Sequence, residues 1–149
     1  MPLSGAPAVE CRNTGGNHTF VFTFNNSLAS GSAAVTSGVG TVSGSPVISG
    51  STMTVNLTGV ADVQRLTVTL QSVTDTNAQV MPDSPVSVNF LAADTNGNKS
   101  VNAADVAQTK AQLGQVVTSS NFRNDVNADG SISATDSAFV KSKLGNSVP

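Results

Sequence analysis

One stretch of twelve residues occurs twice near the C-terminal end, and it limits what that part of the chain can become. Asp94-Thr95-Asn96-Gly97-Asn98-Lys99-Ser100-Val101-Asn102-Ala103-Ala104-Asp105 aligns on Asp125-Val126-Asn127-Ala128-Asp129-Gly130-Ser131-Ile132-Ser133-Ala134-Thr135-Asp136. The first, third, fifth, seventh and twelfth positions agree in chemical type, and the eighth is β-branched in both copies. Each copy leads into a stretch with helical spacing, residues 103–113 and 134–144, long enough for about three turns. Both stretches end in Leu-Gly, with Gly114 and Gly145 placed for the left-handed C′ position. Asn102 and Ser133 stand where N-caps belong. Between the copies, residues 118–123 have room for a partial helical turn.

Oxygen-bearing side chains on alternate residues match the ligand spacing of the EF-hand calcium loop. Ca²⁺ is a hard cation that takes six to eight oxygens at roughly 2.3–2.6 Å. The first loop offers Asp94, Asn96, Asn98 and Asp105, and the second offers Asp125, Asn127, Asp129 and Asp136. The backbone carbonyls of Ser100 and Ser131 are expected to complete each shell, with water beside Asn102 and Ser133. Two ions are therefore expected, one per loop. Val101 and Ile132 are expected to face the other way and to pair the loops through a small apolar contact. Residues 94–149 hold five acidic side chains, and all five occupy ligand positions. Metal-free turns beside ordinary exposed helices would scatter Asp and Glu over the helix faces instead. The two loops are unequal: Asn98 is neutral, and Lys99 stands where the loop usually turns on glycine. The second loop, with three carboxylates and Gly130 at the turn, is expected to bind more tightly.

Residues up to about Ala92 follow a different grammar, alternating apolar and polar. Phe20, Phe22 and Phe24 share one face of a strand, and Met53-Val55-Leu57, Leu66-Val68-Leu70 and Val86-Val88-Phe90 repeat the pattern. Glycines and Asp/Asn/Pro clusters punctuate these runs. The pattern predicts a β-sandwich of about seven antiparallel strands over 1–92. Residues 31–50 are low in complexity, yet their recurring Val and Ile are expected to supply short strands. The layout resembles bacterial immunoglobulin-like modules.

No helix precedes the first loop, because Pro82, Pro85 and the alternating Val86-Val88-Phe90 mark a strand. A loop followed by a helix, repeated, resembles the type I dockerin domain over residues 94–145. The carrying motifs are Asp-x-Asn-x-Asn/Asp, the aspartate at the twelfth position, and the Lys-x-x-Leu-Gly helix ends. The resemblance implies a small α-helical domain over 93–149 with two bound Ca²⁺ ions, docking onto a cohesin. It also implies partner-reading positions, here Ala103, Ala104 and Lys110 in one copy and Ala134, Thr135 and Lys141 in the other. An immunoglobulin-like module directly before a dockerin is similar to modules of some cellulosomal, polysaccharide-degrading assemblies.

The expected function is thus a non-catalytic, calcium-dependent attachment module of a secreted or cell-surface protein. The alternative is a calcium-stiffened structural or anchoring module without a cohesin partner. A single histidine, His18, and the absence of a phosphate loop argue against an enzyme or a small-molecule substrate. Sugar-binding platforms rely on Trp and Tyr, and the chain has neither. A net charge of −2 gives no reason to expect nucleic acid, and no apolar run is long enough to span a bilayer. Cys11 is alone and is expected to be a small buried hydrophobe. Met1-Pro2-Leu3-Ser4-Gly5 reads as a start codon on an excised fragment whose leader lies elsewhere.

Overall fold

The computed structural model describes residues 7–149, so the reading of the first five residues lies outside it. Eight strands come first: β1 (Ala8–Glu10), β2 (His18–Thr23), β3 (Leu28–Ser37), β4 (Thr41–Val42), β5 (Val47–Ser49), β6 (Thr52–Thr58), β7 (Gln64–Asp75) and β8 (Ser84–Phe90). Two helices follow, α1 (Ala103–Ala111) and α2 (Ala134–Ser142), with a 3-10 turn at Phe122–Asn124 between them. The low-complexity stretch does form strands, contributing part of β3 and all of β4 and β5.

The strands make two sheets. One has the order β1-β8-β7-β3; in the other β6 lies between β2 and β4 and also pairs β5. The second sheet is antiparallel throughout, whereas β1 runs parallel to β8, with Ala8, Val9 and Glu10 opposite Val88, Asn89 and Phe90. That parallel pair departs from the all-antiparallel expectation. Only neighbours joined by a hairpin must be antiparallel, and β1 reaches β8 across most of the β region.

The chain divides into two compact units. Unit 2 comprises Gly15–Ala61 and Leu66–Ser87; unit 1 comprises the described residues up to Thr14, Asp62–Arg65 and Val88–Pro149. Unit 2 carries out the period-two pattern. Met53, Val55 and Leu57 on β6 and Leu66, Val68 and Leu70 on β7 are buried, and their neighbours on the opposite face are not. Phe20 is buried and meets Phe22 edge to face, with ring centroids 6.0 Å apart, while Val21 between them is 62% exposed. On β7 the buried parity switches from Leu70 to Val73. The irregularity lies at Ser72, whose φ of 50° is left-handed, where the register with β3 slips.

Unit 1 has its own small core of Val9, Leu91, Ala93, Val101, Val126, Val140 and Val148, with Val106 and Phe139 against it. Strand β1 thus shares a core with the loop residues and α2. Asp62 accepts the Ala92 N–H (2.8 Å) and pairs with Lys143 (3.0 Å), whose ammonium also lies 5.4 Å from the Phe139 ring centroid. Among the described residues no helix is long and apolar enough to cross a membrane.

Candidate metal centre

Each loop closes on its own two end aspartates. In the first, Asp94 accepts N–H bonds from Gly97 (2.8 Å), Asn98 (3.1 Å) and Lys99 (2.7 Å), so one carboxylate winds the next five residues around itself. Asp105 closes the far end, accepting from the Asn96 N–H (3.1 Å), the Thr95 hydroxyl (3.3 Å) and the Asn102 N–H (2.9 Å). The last of these bonds is half of a capping box on α1, whose other half is the Asn102 side chain. The residue that starts the helix therefore also completes the loop.

The second loop closes in the same way, with one bond fewer to its first aspartate. Asp125 accepts from Asp129 (3.1 Å) and Gly130 (3.0 Å). Asp136 accepts from Val126 (3.0 Å), Asn127 (3.4 Å) and Ser133 (2.8 Å), and Ser133 caps α2 in the same way. The middle ligand candidates make side-chain turns in both copies. Asn96 accepts from Asn98 N–H, Asn98 from Ser100 N–H, Asn127 from Asp129 N–H and Asp129 from Ser131 N–H. Such turns set successive oxygens on alternate residues.

Both loops need left-handed backbone at their fourth and sixth positions, and each supplies glycine at only one. The first has Gly97 (φ 77°) and then Lys99 (φ 71°); the second has Ala128 (φ 57°) and then Gly130 (φ 88°). The glycine missing at Lys99 is thus matched by one missing at Ala128, and each loop carries one strained residue.

Val101 and Ile132 are both buried. Gly145 donates to the Val101 carbonyl (3.0 Å) and Gly114 to the Ile132 carbonyl (2.9 Å). The turn after each helix is thereby tied to the loop of the other copy. The helices stop two residues short of the expected ends because their last turns tighten to three-residue spacing. Gly114 and Gly145 adopt the left-handed conformation one position beyond C′.

The charge balance of these loops is unusual. Asp94, Asp105 and Asp136 are 0% exposed and Asp125 5%, yet their partners are N–H and O–H donors. The ion pairs among the described residues, Arg12–Glu10 and Lys143–Asp62, lie elsewhere. A buried carboxylate without a compensating cation is costly. The donor set, carboxylates with amide and backbone oxygens, suits a hard dication. The residues present therefore fit Ca²⁺.

Asp129 differs, being exposed. Bonds from the Ser131 hydroxyl (2.7 Å) and then the Asn127 amide (2.8 Å) hold its carboxyl below the usual range. Among the described residues no three carboxylate, imidazole or thiol side chains gather as a cluster. The first loop has only two carboxylates, and in the second Asp125, Asp129 and Asp136 are not drawn into one cluster.

The candidate partner residues Ala103, Ala104, Ala134 and Thr135 are exposed at the helix starts, and Lys110 and Lys141 are exposed in the last turns. His18 is half-buried at the head of β2 and lies in unit 2. Cys11 is 1% exposed, and burial pushes its thiol up to about 12, the behaviour of a buried hydrophobe.

Sequence reasoning missed Arg123. Its guanidinium donates to the carbonyls of Thr95 (2.8 Å), Asp94 (2.7 Å) and Val9 (2.9 Å). Its only sequence signal is that it is the sole arginine after residue 65.

No curated protein and no solved structure matches the chain. The family model of the dockerin type I domain matches residues 92–145, less than half of the chain. Dockerins are non-catalytic, calcium-binding docking modules whose partners are cohesins, and residues 92–145 form a dockerin-type segment.

Proposed function

We propose that residues 93–149 act as a calcium-dependent docking module, attaching a secreted or surface-bound parent protein to a cohesin-type partner. In this reading residues 1–92 are an immunoglobulin-like companion module. Two Ca²⁺ ions are held, one by Asp94, Asn96, Asn98, the Ser100 carbonyl and Asp105. The other is held by Asp125, Asn127, Asp129, the Ser131 carbonyl and Asp136. The observation that carries the reading is the set of four buried aspartates at matched positions of two loops, none of them in an ion pair among the described residues.

Charge suggests what the partner offers. Residues 94–149 carry five acidic and five basic side chains, so two bound Ca²⁺ ions leave this part strongly positive. An acidic partner surface is favoured. Small residues at both helix starts allow a flat sheet to approach closely, and Lys110 and Lys141 offer equivalent ammonium groups. The near-repeat lets a cohesin bind in two orientations, one per lysine.

The test is binding of the full chain to a cohesin panel with Ca²⁺ and with EGTA. Binding is expected only with Ca²⁺. Lys110→Glu and Lys141→Glu should each be tolerated, and the double change should abolish binding while both ions remain bound. Loss of binding from one substitution would refute the two-way arrangement. Calcium binding without any cohesin binding would favour the structural-anchor alternative.

A further inference from the structure

We propose that Arg123 is the positioning residue of the first calcium loop, and that strand β1 is thereby part of the calcium-binding unit. This rests on the reading that the loop binds Ca²⁺.

Arg123 lies within the 3-10 turn that leads into the second loop, yet its fork reaches the start of the first. Nη2 donates to the Asp94 carbonyl at 2.7 Å and Nε to the Thr95 carbonyl at 2.8 Å. Nη2 also packs over Gly97, where an added Cβ would lie 3.5 Å away. The cation thus meets backbone oxygens and leaves the Asp94 carboxylate to its loop amides. Fixing the Asp94 and Thr95 peptides fixes where that carboxylate points.

The third arm, Nη1, donates to the Val9 carbonyl of β1 at 2.9 Å. The segment after β1 adds further ties. Leu91 donates to the Glu10 carbonyl (3.0 Å) and Ala93 to that of Cys11 (2.8 Å), and the Cys11 thiol donates to the Arg123 carbonyl at 3.5 Å. Ala93 has φ 79°, a strained conformation directly before Asp94, and these bonds hold it there. Asn13 donates to the Val126 carbonyl (2.6 Å) at the second position of the other loop. The segment 9–13 therefore touches the start of both loops, although it lies far outside residues 92–145. The planar guanidinium spreads its donors in a fixed fork that matches these three separated carbonyls, whereas a lysine ammonium gathers its three donors at one point on a flexible stem.

The test is a Ca²⁺ titration of the full chain by NMR, following the Gly97 amide for the first loop and the Gly130 amide for the second. In the wild type both resonances should move. In Arg123→Gln the Gly97 midpoint should rise by about tenfold or more, the scale of lost charge-assisted bonds, and the Gly130 midpoint much less. Arg123→Lys should rescue little. Equal shifts at both glycines would mark a merely structural residue and overturn the assignment. If Arg123→Gln does not fold, amide exchange in the wild type decides: Ca²⁺ should slow the Leu91 and Ala93 amides, which are bonded to the β1 segment. Unchanged exchange there would overturn the role given to β1. A wild-type Gly97 resonance indifferent to Ca²⁺ would instead bring down the calcium reading of the loop itself, and this proposal with it.

Discussion

Substituting Lys99 by glycine should stabilise the protein, although the substitution deletes a side chain and a charge. Lys99 holds φ 71° because its N–H must reach Asp94 and its carbonyl must accept from Val148 at 3.1 Å. A left-handed conformation costs a non-glycine residue about 1–2 kcal/mol. Glycine escapes that cost but loses more chain entropy on folding, about 0.5–1 kcal/mol relative to alanine. The difference leaves Lys99→Gly more stable by about 0.5–1 kcal/mol, or about 2–4 °C in Tm at the upper end for a chain of this size. Gly130, at the matched position, supplies the reverse experiment: its φ is 88° and nothing lies within 4 Å of where a Cβ would go. Gly130→Ala should therefore lose a similar amount through backbone strain alone. Thermal melts of the three proteins in saturating Ca²⁺ check this. A Lys99→Gly protein no more stable than wild type, or a Gly130→Ala protein with an unchanged Tm, would refute the strain argument.

Calorimetry should find calcium binding weakened more by Asp125→Ala than by Asp94→Ala, because the second loop has three carboxylates and the first two; the reverse order would contradict that ranking. Asp75 is held below the usual carboxylate range, first by the Gln79 N–H and then by the Asn26 amide. Its stabilisation is present above the ordinary carboxylate pKa and is lost as pH falls through the depressed one. Asp75→Asn should therefore be less stable than wild type at neutral pH, with the two stability curves converging in acid; parallel curves would exclude the effect. Cys11, with its thiol pushed up to about 12, should resist alkylation in the native protein at mildly alkaline pH and react on unfolding, as mass spectrometry would register.

The two repeated loops were legible because the hydrogen bonds that shape them are local. Alternating oxygens, the capping residues Asn102 and Ser133, and the closing Asp105 and Asp136 all act within twelve residues of chain. The period-two strands were legible for the same reason, as in Met53-Val55-Leu57. What escaped depends on long-range contacts. Arg123 acts on Val9, and the parallel pairing of β1 joins residues at opposite ends of the β region. Neither leaves a mark in spacing. The strain at Ala128 also escaped, because loop closure around Asp125 imposes that angle against the residue's own preference. Ser72 reverses the alternation on β7 by a bulge that no turn residue announces.

The most direct measurement is calcium binding by the full chain, with thermal melts in excess Ca²⁺ and in EGTA. Buried Asp94, Asp105, Asp125 and Asp136 form no ion pair among the described residues, and a helix pair this small has little core to offset their charge. Two ions per chain should bind, and the transition containing unit 1 should move clearly upward with Ca²⁺. No binding even at millimolar Ca²⁺, with superimposable melts in the two conditions, would contradict the account.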